Sequence, residues 1–484
     1  MRKGKRMRVI AGCLALAAFL AACEMPFSLQ GDPGVTLAPA SEEVAPSEQP
    51  TETLTLWTWK AGYQEGFRRV AALANLKLEI TVAGTDTEYQ SKVKAAANAK
   101  TLPDVLHYWA GPANEASDAL LELSGRAPFS TGAFRERIYP RAWETVTVSG
   151  EQVALWQEDQ EASKSTKAKK KGQFWLVPTD VGGFYSIFAQ RELLEKAGIA
   201  AEAPETWEAL VANMAAFHAK TGKAGLTFST QHPNLFRSWC WTPIELMYNG
   251  AEGYAEVLNP YRKIAEKQRH IETIGIAEDL AQVGMPGEKS REWSVEEGYR
   301  SFAEGEAGYL LGGSFSATSL RAMGMDMEQV VGFPIPALEG SRMKRWTYAP
   351  EALTGCGIAK NSRHQDAATR FLESLATPDG GLALAKEAYT IPAAQLGSRT
   401  KELPAALAGI AATYVGDGSD PLSKFREAHP VLKLYEGATW MTALETELDR
   451  VLRGETSATA AAQACDTIKE MEIEAGRVQW AEEE

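Results

Sequence analysis

The chain has 484 residues, 45% of them hydrophobic and 23% charged, with a formal net charge of −13. These proportions belong to a globular protein and exclude wholesale disorder, a collagen-like repeat and a disulfide-dense scaffold. No stretch supplies the ~20 apolar residues of a spanning helix, which excludes a polytopic membrane protein, and the acid excess opposes general nucleic-acid binding.

Residues 1–8 are cationic, and residues 9–22 (VIAGCLALAAFLAA) form a short apolar run. This is the charged start and apolar middle of a secretory leader. The run closes on Leu20-Ala21-Ala22-Cys23, which resembles the bacterial lipobox, whose cysteine is diacylated and becomes the mature N-terminus. Two acyl chains are what stable membrane anchoring takes. Removing the leader takes five cations with it, and −13 less five leaves −18. Residues 23–52 are then the lipidated Cys23 and a tether rich in Pro, Ser, Glu and Thr, too poor in aliphatics to fold. Its reach is about 30 Å r.m.s..

The folded body starts near Thr53 and shows no repeat of 20–50 residues. Leu54–Trp59 (LTLWTW) alternates like a strand, and Tyr63, Phe67, Val70, Ala71 and Ala74 follow at helical spacing. Leu76–Val82 is a second strand. Asp86 or Thr87 starts a helix reaching Lys100, with Tyr89, Val93, Ala96 and Ala97 on one face, and Pro103–Tyr108 is a third strand. Strand–helix–strand–helix–strand predicts a parallel sheet with right-handed crossovers. Ligands in such sheets sit beyond the carboxyl ends of strands, which directs attention to Trp57–Tyr63 and Tyr108–Gly111.

The alternation lapses over 125–172, which ends in the basic run Lys164–Lys171, and a strand is expected at Phe174–Pro178. The basic run reads as a solvated loop, or else as a contact for anionic lipid headgroups or cell-wall polymers. Thr206 caps a helix, Trp207–Lys220, that stops at Gly222. A strand at Ala307–Leu311, a helix near Asp366–Ala376 and a long helix near Leu432–Arg453, ended by Gly454, complete the series. Cys240, Cys356 and Cys465 allow at most one disulfide, fit no metal motif, and read most simply as buried thiols.

Five segments in this order carry a resemblance: LWTWKAGYQEGFRRVA, TEYQSKVKAAANAKTLPDVLHYW, FWLVPTDVGGFYSIFAQRELLEKAGIAAEAPETWEAL, FAEGEAGYLLGGSF and IAKNSRHQDAATRFLESLATPDGG. Over 53–484 the chain resembles the extracellular solute-binding proteins of family 1, the carbohydrate receptors of ABC importers of the maltose-binding type. Departures are Ala189-Gln190-Arg191-Glu192 where the family has an Asn-Lys-Asp turn, and Gly313-Ser314-Phe315 where it has Gly-x-Trp. The resemblance implies an α/β, two-lobed periplasmic-binding-protein fold (type II), with an interlobe ligand cleft and a multi-strand hinge. Lobe 1 is expected at 53–180 plus 346–395 and lobe 2 at 181–345 plus 396–484. It also implies a monomeric, extracytoplasmic receptor, lipid-anchored to the cell membrane, that closes on a carbohydrate by hinge bending and delivers it to permease subunits of an ABC importer.

Sugars present apolar C–H faces and a rim of hydroxyls, so a sugar site wants flat aromatic platforms and a few fixed polar groups. The aromatic candidates are Trp57, Trp59 and Tyr63 at the first strand, Tyr108 and Trp109 at the third, Trp241 beside Trp239 in a Pro-bounded loop, Phe315 after a Gly-Gly turn, and Trp440 at a helix start. The resemblance places stacking aromatics of the maltose-type receptors near Phe315 and Trp440. Polar candidates are Asp180, beyond Pro178, and Gln64 with Glu65 at a helix N-terminus; Glu351 is weaker. Each aromatic has a plain alternative as core: alternation puts Trp57 and Trp59 on one strand face, and Trp207 reads as a helix staple. Asp104 reads as a brace at a strand start.

No His-Glu-x-x-His, Cys-x-x-Cys, Gly-x-x-x-x-Gly-Lys or nucleophile-elbow pattern occurs, so no cofactor, no metal and no enzymatic activity are expected. Two alternatives stay open. One is the same receptor fold with a polyamine or peptide ligand. The other is a secreted glycan-active enzyme whose carboxylate pair spacing does not reveal.

Overall fold

A computed structural model describes residues 52–84, 86–111, 117–158, 169–183, 185–231, 233–284, 293–415 and 420–478. The leader and nearly all of the tether, with Cys23, lie outside the described residues, as do Lys164–Ala168 of the basic run. Among the described residues, no helix is long and apolar enough to cross a membrane. The strands are β1 (Glu52–Thr58), β2 (Leu76–Val82), β3 (Val105–Trp109), β4 (Val177–Gly182), β5 (Ser186–Gln190), β6 (Ala224–Thr227), β7 (Ala307–Gly312), β8 (Val330–Pro334), β9 (Glu351–Ile358) and β10 (Ile391–Pro392).

The described chain forms two compact units, one of 52–182 with 349–404, the other of 183–348 with 405–478. The chain passes between them after Gly182, Tyr348 and Pro404. In the first unit the sheet order is β10-β4-β9-β3-β1-β2. β1 runs parallel to β2 and β3, as the sequence predicts for strands joined through helices, and β9 pairs antiparallel with both β3 and β4. Helix Gln64–Leu73 turns Phe67, Val70 and Ala71 inward and meets helix Pro378–Ala388 closely at Gly66, where a Cβ would come within 2.9 Å of Leu384. That helix returns late in the chain, so the amphipathic stripe read at 63–74 is completed by residues some 300 positions away.

In the second unit the order is β6-β7-β5-β8, with β6 parallel to β7 and β5 antiparallel to both its neighbours. Helix Trp207–Thr221 begins at Thr206, whose side chain accepts from Ala209 N, and ends at Gly222, whose φ of +72° suits a residue without a Cβ. Gly332 in β8 lies under helix Ala405–Ala411; an added Cβ would stand 2.0 Å from the Ala406 carbonyl oxygen, and backbone cannot swing aside as a side chain does. Gly332→Ala is therefore expected to cost about 3 kcal/mol by forcing strand and helix apart. Scanning calorimetry should show the melting point falling by several degrees.

Three expectations are corrected. The strand expected at Phe174–Pro178 lies at Val177–Gly182: Phe174, Trp175 and Leu176 are buried, but ladder pairing with β9 begins only at Val177 and shifts register between Pro178 and Val181. The helix expected over Leu432–Arg453 is two pieces, a 3-10 turn at Leu432–Gly437 and a helix at Thr439–Leu452, because Ala438 after Gly437 is extended (φ −69°, ψ 160°). Helix Ala458–Glu474 then follows Gly454, which the sequence reading left unassigned. The basic run is not uniformly solvated. The Lys169 side chain is 7% exposed, bonds Ser117 Oγ, stands 3.6 Å from Asp118 Oδ1 and lies over the Trp175 ring, whereas Lys170 and Lys171 are exposed. Cys240, Cys356 and Cys465 are free and buried, and burial raises all three thiols, Cys356 and Cys465 to about 12.

Candidate functional site

In the first unit the parallel strands deliver aromatic side chains to their carboxyl ends. Trp59, one residue beyond β1, stacks on Trp109 at the end of β3 with centroids 3.9 Å apart, and also on His107 (4.9 Å) and Tyr89 (5.4 Å). Tyr108 meets Trp109 edge-on at 4.9 Å. Trp109 is half-buried, while Trp59 is 9% and Tyr108 2% exposed. Trp57 is half-buried and points elsewhere, with Lys92 Nζ 4.2 Å above its ring. Lys60 Nζ lies 5.5 Å from the Trp59 ring and 5.1 Å from that of Tyr63. Gln64 is half-buried and its Nε2 donates to Ala61 O at 3.3 Å.

Beneath these rings runs a buried polar chain. Asp180 is fully buried. Its Oδ2 accepts from Tyr63 Oη at 2.5 Å and from Thr390 Oγ1 at 2.9 Å, and its Oδ1 from Thr354 Oγ1. The Thr354 hydroxyl proton is thereby used, so at 2.8 Å it accepts from His107 Nε2. His107 Nδ1 is then the acceptor, facing the Thr58 hydroxyl at 2.8 Å, and Thr58 Oγ1 accepts from Lys60 N. Burial pushes His107 down to about 3, against the opposing pull of Asp180, which agrees with this neutral form. Burial also works against the charge on Asp180, but Lys60 and the Thr354 and Tyr63 hydroxyls outweigh it and hold the carboxyl below its usual range. Asp180 and Tyr63, named from sequence as ligand groups, thus have their polar atoms engaged inside the unit. Glu351 forms an ion pair with Arg141 at 3.2 Å, and Asp104 bonds Thr55 at 2.9 Å, as a brace should.

In the second unit Phe315 follows the β7 turn, is half-buried, and meets Trp239 edge-on at 5.9 Å. Trp241 closes the π-turn Arg237–Trp241, is fully buried and packs against Tyr254 in the core rather than at a surface. Trp440 is 3% exposed and lies against Tyr435 at 5.3 Å. Trp207 is 1% exposed and donates to Asp279, as a helix staple would pack. The structure therefore joins Trp59, Tyr108 and Trp109 in one cluster and joins Tyr63 to Asp180. Trp57, Trp241, Phe315 and Trp440 stand in separate surroundings. A hollow of about 490 Å³ in this unit, lined by His218, Lys223, Trp293 and Arg300 among others, sits toward the amino end of β6 and holds none of these residues.

Sequence reasoning passed over His107, Thr354, Thr390 and Lys60. The buried, strand-periodic position of His107, two before Trp109, was a usable signal. For the two threonines there was none, since they reach Asp180 only through β9 and the residue preceding β10.

Residues 60–382 match the family described as bacterial extracellular solute-binding protein. The chain belongs to this family. Membership assigns it an extracytoplasmic location. Its two units with their separate sheets have the fold of the two-lobed solute-binding proteins, as the sequence resemblance implied. A structure from a study of xylan utilization by the thermophilic bacterium Caldanaerobius polysaccharolyticus is similar at 16% identity and a TM-score of 0.53, covering 86% of this chain and 99% of that one. A cyclic alpha-maltosyl-1,6-maltose binding protein from Arthrobacter globiformis is similar at 18% identity and a TM-score of 0.50, covering 88% and 100%. A chitin oligosaccharide binding protein is similar at 16% identity and a TM-score of 0.50, covering 86% and 98%. At these identities the likeness is one of fold. The comparison with curated protein sequences returns no match.

Proposed function

We propose that this solute-binding protein is the lipid-anchored receptor of an ABC importer, acylated at Cys23, and that it binds a sugar or oligosaccharide for delivery to the permease. Binding is coupled to hinge bending at the three chain crossings. The observation that carries the sugar reading is the stacked Trp59–Trp109 pair at the carboxyl ends of β1 and β3, with Trp109 partly open to solvent. An indole face suits the C–H face of a pyranose. Phe315 with Trp239 supplies a second aromatic surface in the other unit. Of the remaining sequence candidates, Tyr108 belongs to the first cluster, Trp57 and Gln64 stand outside it, and Tyr63, Asp180, Trp241 and Trp440 support the frame. Three structural relatives whose names or studies concern xylan, a cyclic maltose oligomer and a chitin oligosaccharide point to the same ligand class.

The position of Lys60 disfavours a cationic ligand. Its ammonium already lies over Trp59 and Tyr63, so a polyamine entering there meets a like charge on the faces it needs. Thermal unfolding against a panel of saccharides tests the proposal. A cognate sugar at 100 times its Kd stabilises by about 2.7 kcal/mol. Trp109→Ala, which removes the open ring of the stack, is expected to weaken that sugar at least tenfold, as loss of an aromatic anchor does. No shift with any saccharide, or a shift indifferent to Trp109→Ala, would overturn the reading.

A further inference from the structure

We propose that the amino-end edge of the first unit's sheet is a docking surface for an anionic lipid bilayer. Cations that are scattered in sequence meet on this edge. Asn361 Nδ2 donates to Lys100 O at 2.9 Å, which brings the end of helix Asp86–Ala99 against the turn after β9. From that turn Lys360 Nζ reaches Asp118 O at 2.6 Å. Asp118 is also the partner of Lys169, and the exposed Lys170 and Lys171 follow it in the segment that leads into the amino end of β4. Exposed Arg363 lies two residues beyond Asn361. The neighbouring acids are largely engaged: Asp104 by Thr55, Ser362 and His364, Glu52 by Arg370, and Glu122 by Ser124. Asp118 and Glu52 are the exposed acids among them. Lys100, Lys170, Lys171, Lys360 and Arg363 thus form a basic edge on a chain whose overall charge is strongly acidic.

The direction of the chain says what this edge faces. β1 begins at Glu52, and Thr55 in β1 bonds Asp104 just before β3, so residues 1–51 join the unit at the amino ends of its parallel strands. That is the basic edge, and the Trp59–Trp109 stack lies at the opposite, carboxyl ends. This orientation rests on the proposed anchor at Cys23. A tether from that anchor attaches at the basic edge, which is therefore the end of the unit nearer the point of anchoring, with the aromatic cluster at the other end. Cations at an anionic leaflet gain about 1 kcal/mol each, or roughly fivefold in partitioning. Repulsion of the acidic remainder fades beyond about 10 Å at 0.1 M salt.

The test uses the mature chain from Cys23 without acyl groups, and vesicles containing phosphatidylglycerol or only phosphatidylcholine. Sedimentation should show binding to the anionic vesicles alone, lost in 0.5 M salt and reduced at least tenfold by Lys170→Glu, Lys171→Glu and Lys360→Glu together. The combined variant should keep the wild-type melting point and saccharide shift. Binding unaffected by the three substitutions, or absent from anionic vesicles, overturns the proposal. Equal competition by soluble polyphosphate overturns the bilayer as partner in favour of an anionic polymer. Acylation of Cys23, read by mass, and the saccharide shift are separate measurements, so failure of the receptor reading is distinguishable from failure of the basic edge.

Discussion

Asp180→Ala is expected to cost the first unit about 4 kcal/mol, because it takes the carboxylate acceptor from the Tyr63, Thr354 and Thr390 hydroxyls in a buried site. The three donors come from the start of helix Gln64–Leu73, from β9 and from the residue before β10, so the loss spreads across elements that meet nowhere else in sequence. Asp180→Asn keeps the shape and one acceptor and should lose about half as much. The pH dependence has a definite sign. The folded carboxyl titrates below its usual value, so its stabilisation is complete above the unfolded pKa of about 3.9 and disappears as pH falls through the folded one. Urea unfolding at pH 7 and pH 3 should therefore show wild type losing stability that Asp180→Asn never had. Equal stability of Asp180→Ala and wild type at pH 7 would mean that the network contributes nothing.

Glu245→Ala is expected to cost the second unit about 3–5 kcal/mol, the usual result of removing one partner from a buried charged pair. Glu245 is fully buried and accepts from His270 Nδ1 at 2.9 Å, Thr273 Oγ1 at 2.5 Å and Asn249 Nδ2 at 2.9 Å. The other ring nitrogen of His270 faces Glu256 at 3.1 Å. Burial alone would discharge His270, but the two carboxylates outweigh it and raise its pKa. That stabilisation is fully present below the unfolded histidine value of about 6.5 and is lost as pH rises through the folded one. Denaturation of wild type across pH 6 to 9 should thus show a decline that His270→Ala lacks. The network ties helix Thr242–Leu258 to helix Gln268–Ala281, so protection of both helices from hydrogen exchange should fall together.

The sequence by itself determined the local elements. Alternation in LTLWTW and LKLEITV, the stripe at Tyr63, Phe67 and Val70, and the cap and stop at Thr206 and Gly222 each depend on residues within a turn or two. Where the sequence reading slipped, at Phe174–Pro178 and Leu432–Arg453, the deciding influence was pairing or a single extended residue, Ala438, that propensity does not register. The parallel order of β1, β2 and β3 was also legible, since helices joined them. The antiparallel return of β9 between β3 and β4 was not, because nothing local in residues 351–358 states which strands they will separate.

The aromatic candidates divide for the same reason. A tryptophan in a strand or at a helix start is visible as a large flat apolar group, but whether it closes a core or faces solvent is set by what packs over it. Trp109 stays half-open beside Trp59, whereas Trp241 is sealed by Tyr254 and its neighbours. Asp180 shows the converse. Its sequence surroundings suit a ligand acceptor, and only hydroxyls arriving from residues 63, 354 and 390 commit its oxygens to the interior. Backbone propensity and periodicity act over a few residues and are written in the sequence. The burial and pairing that decide a side chain's role come from residues hundreds of positions away, and tertiary structure alone brings those together.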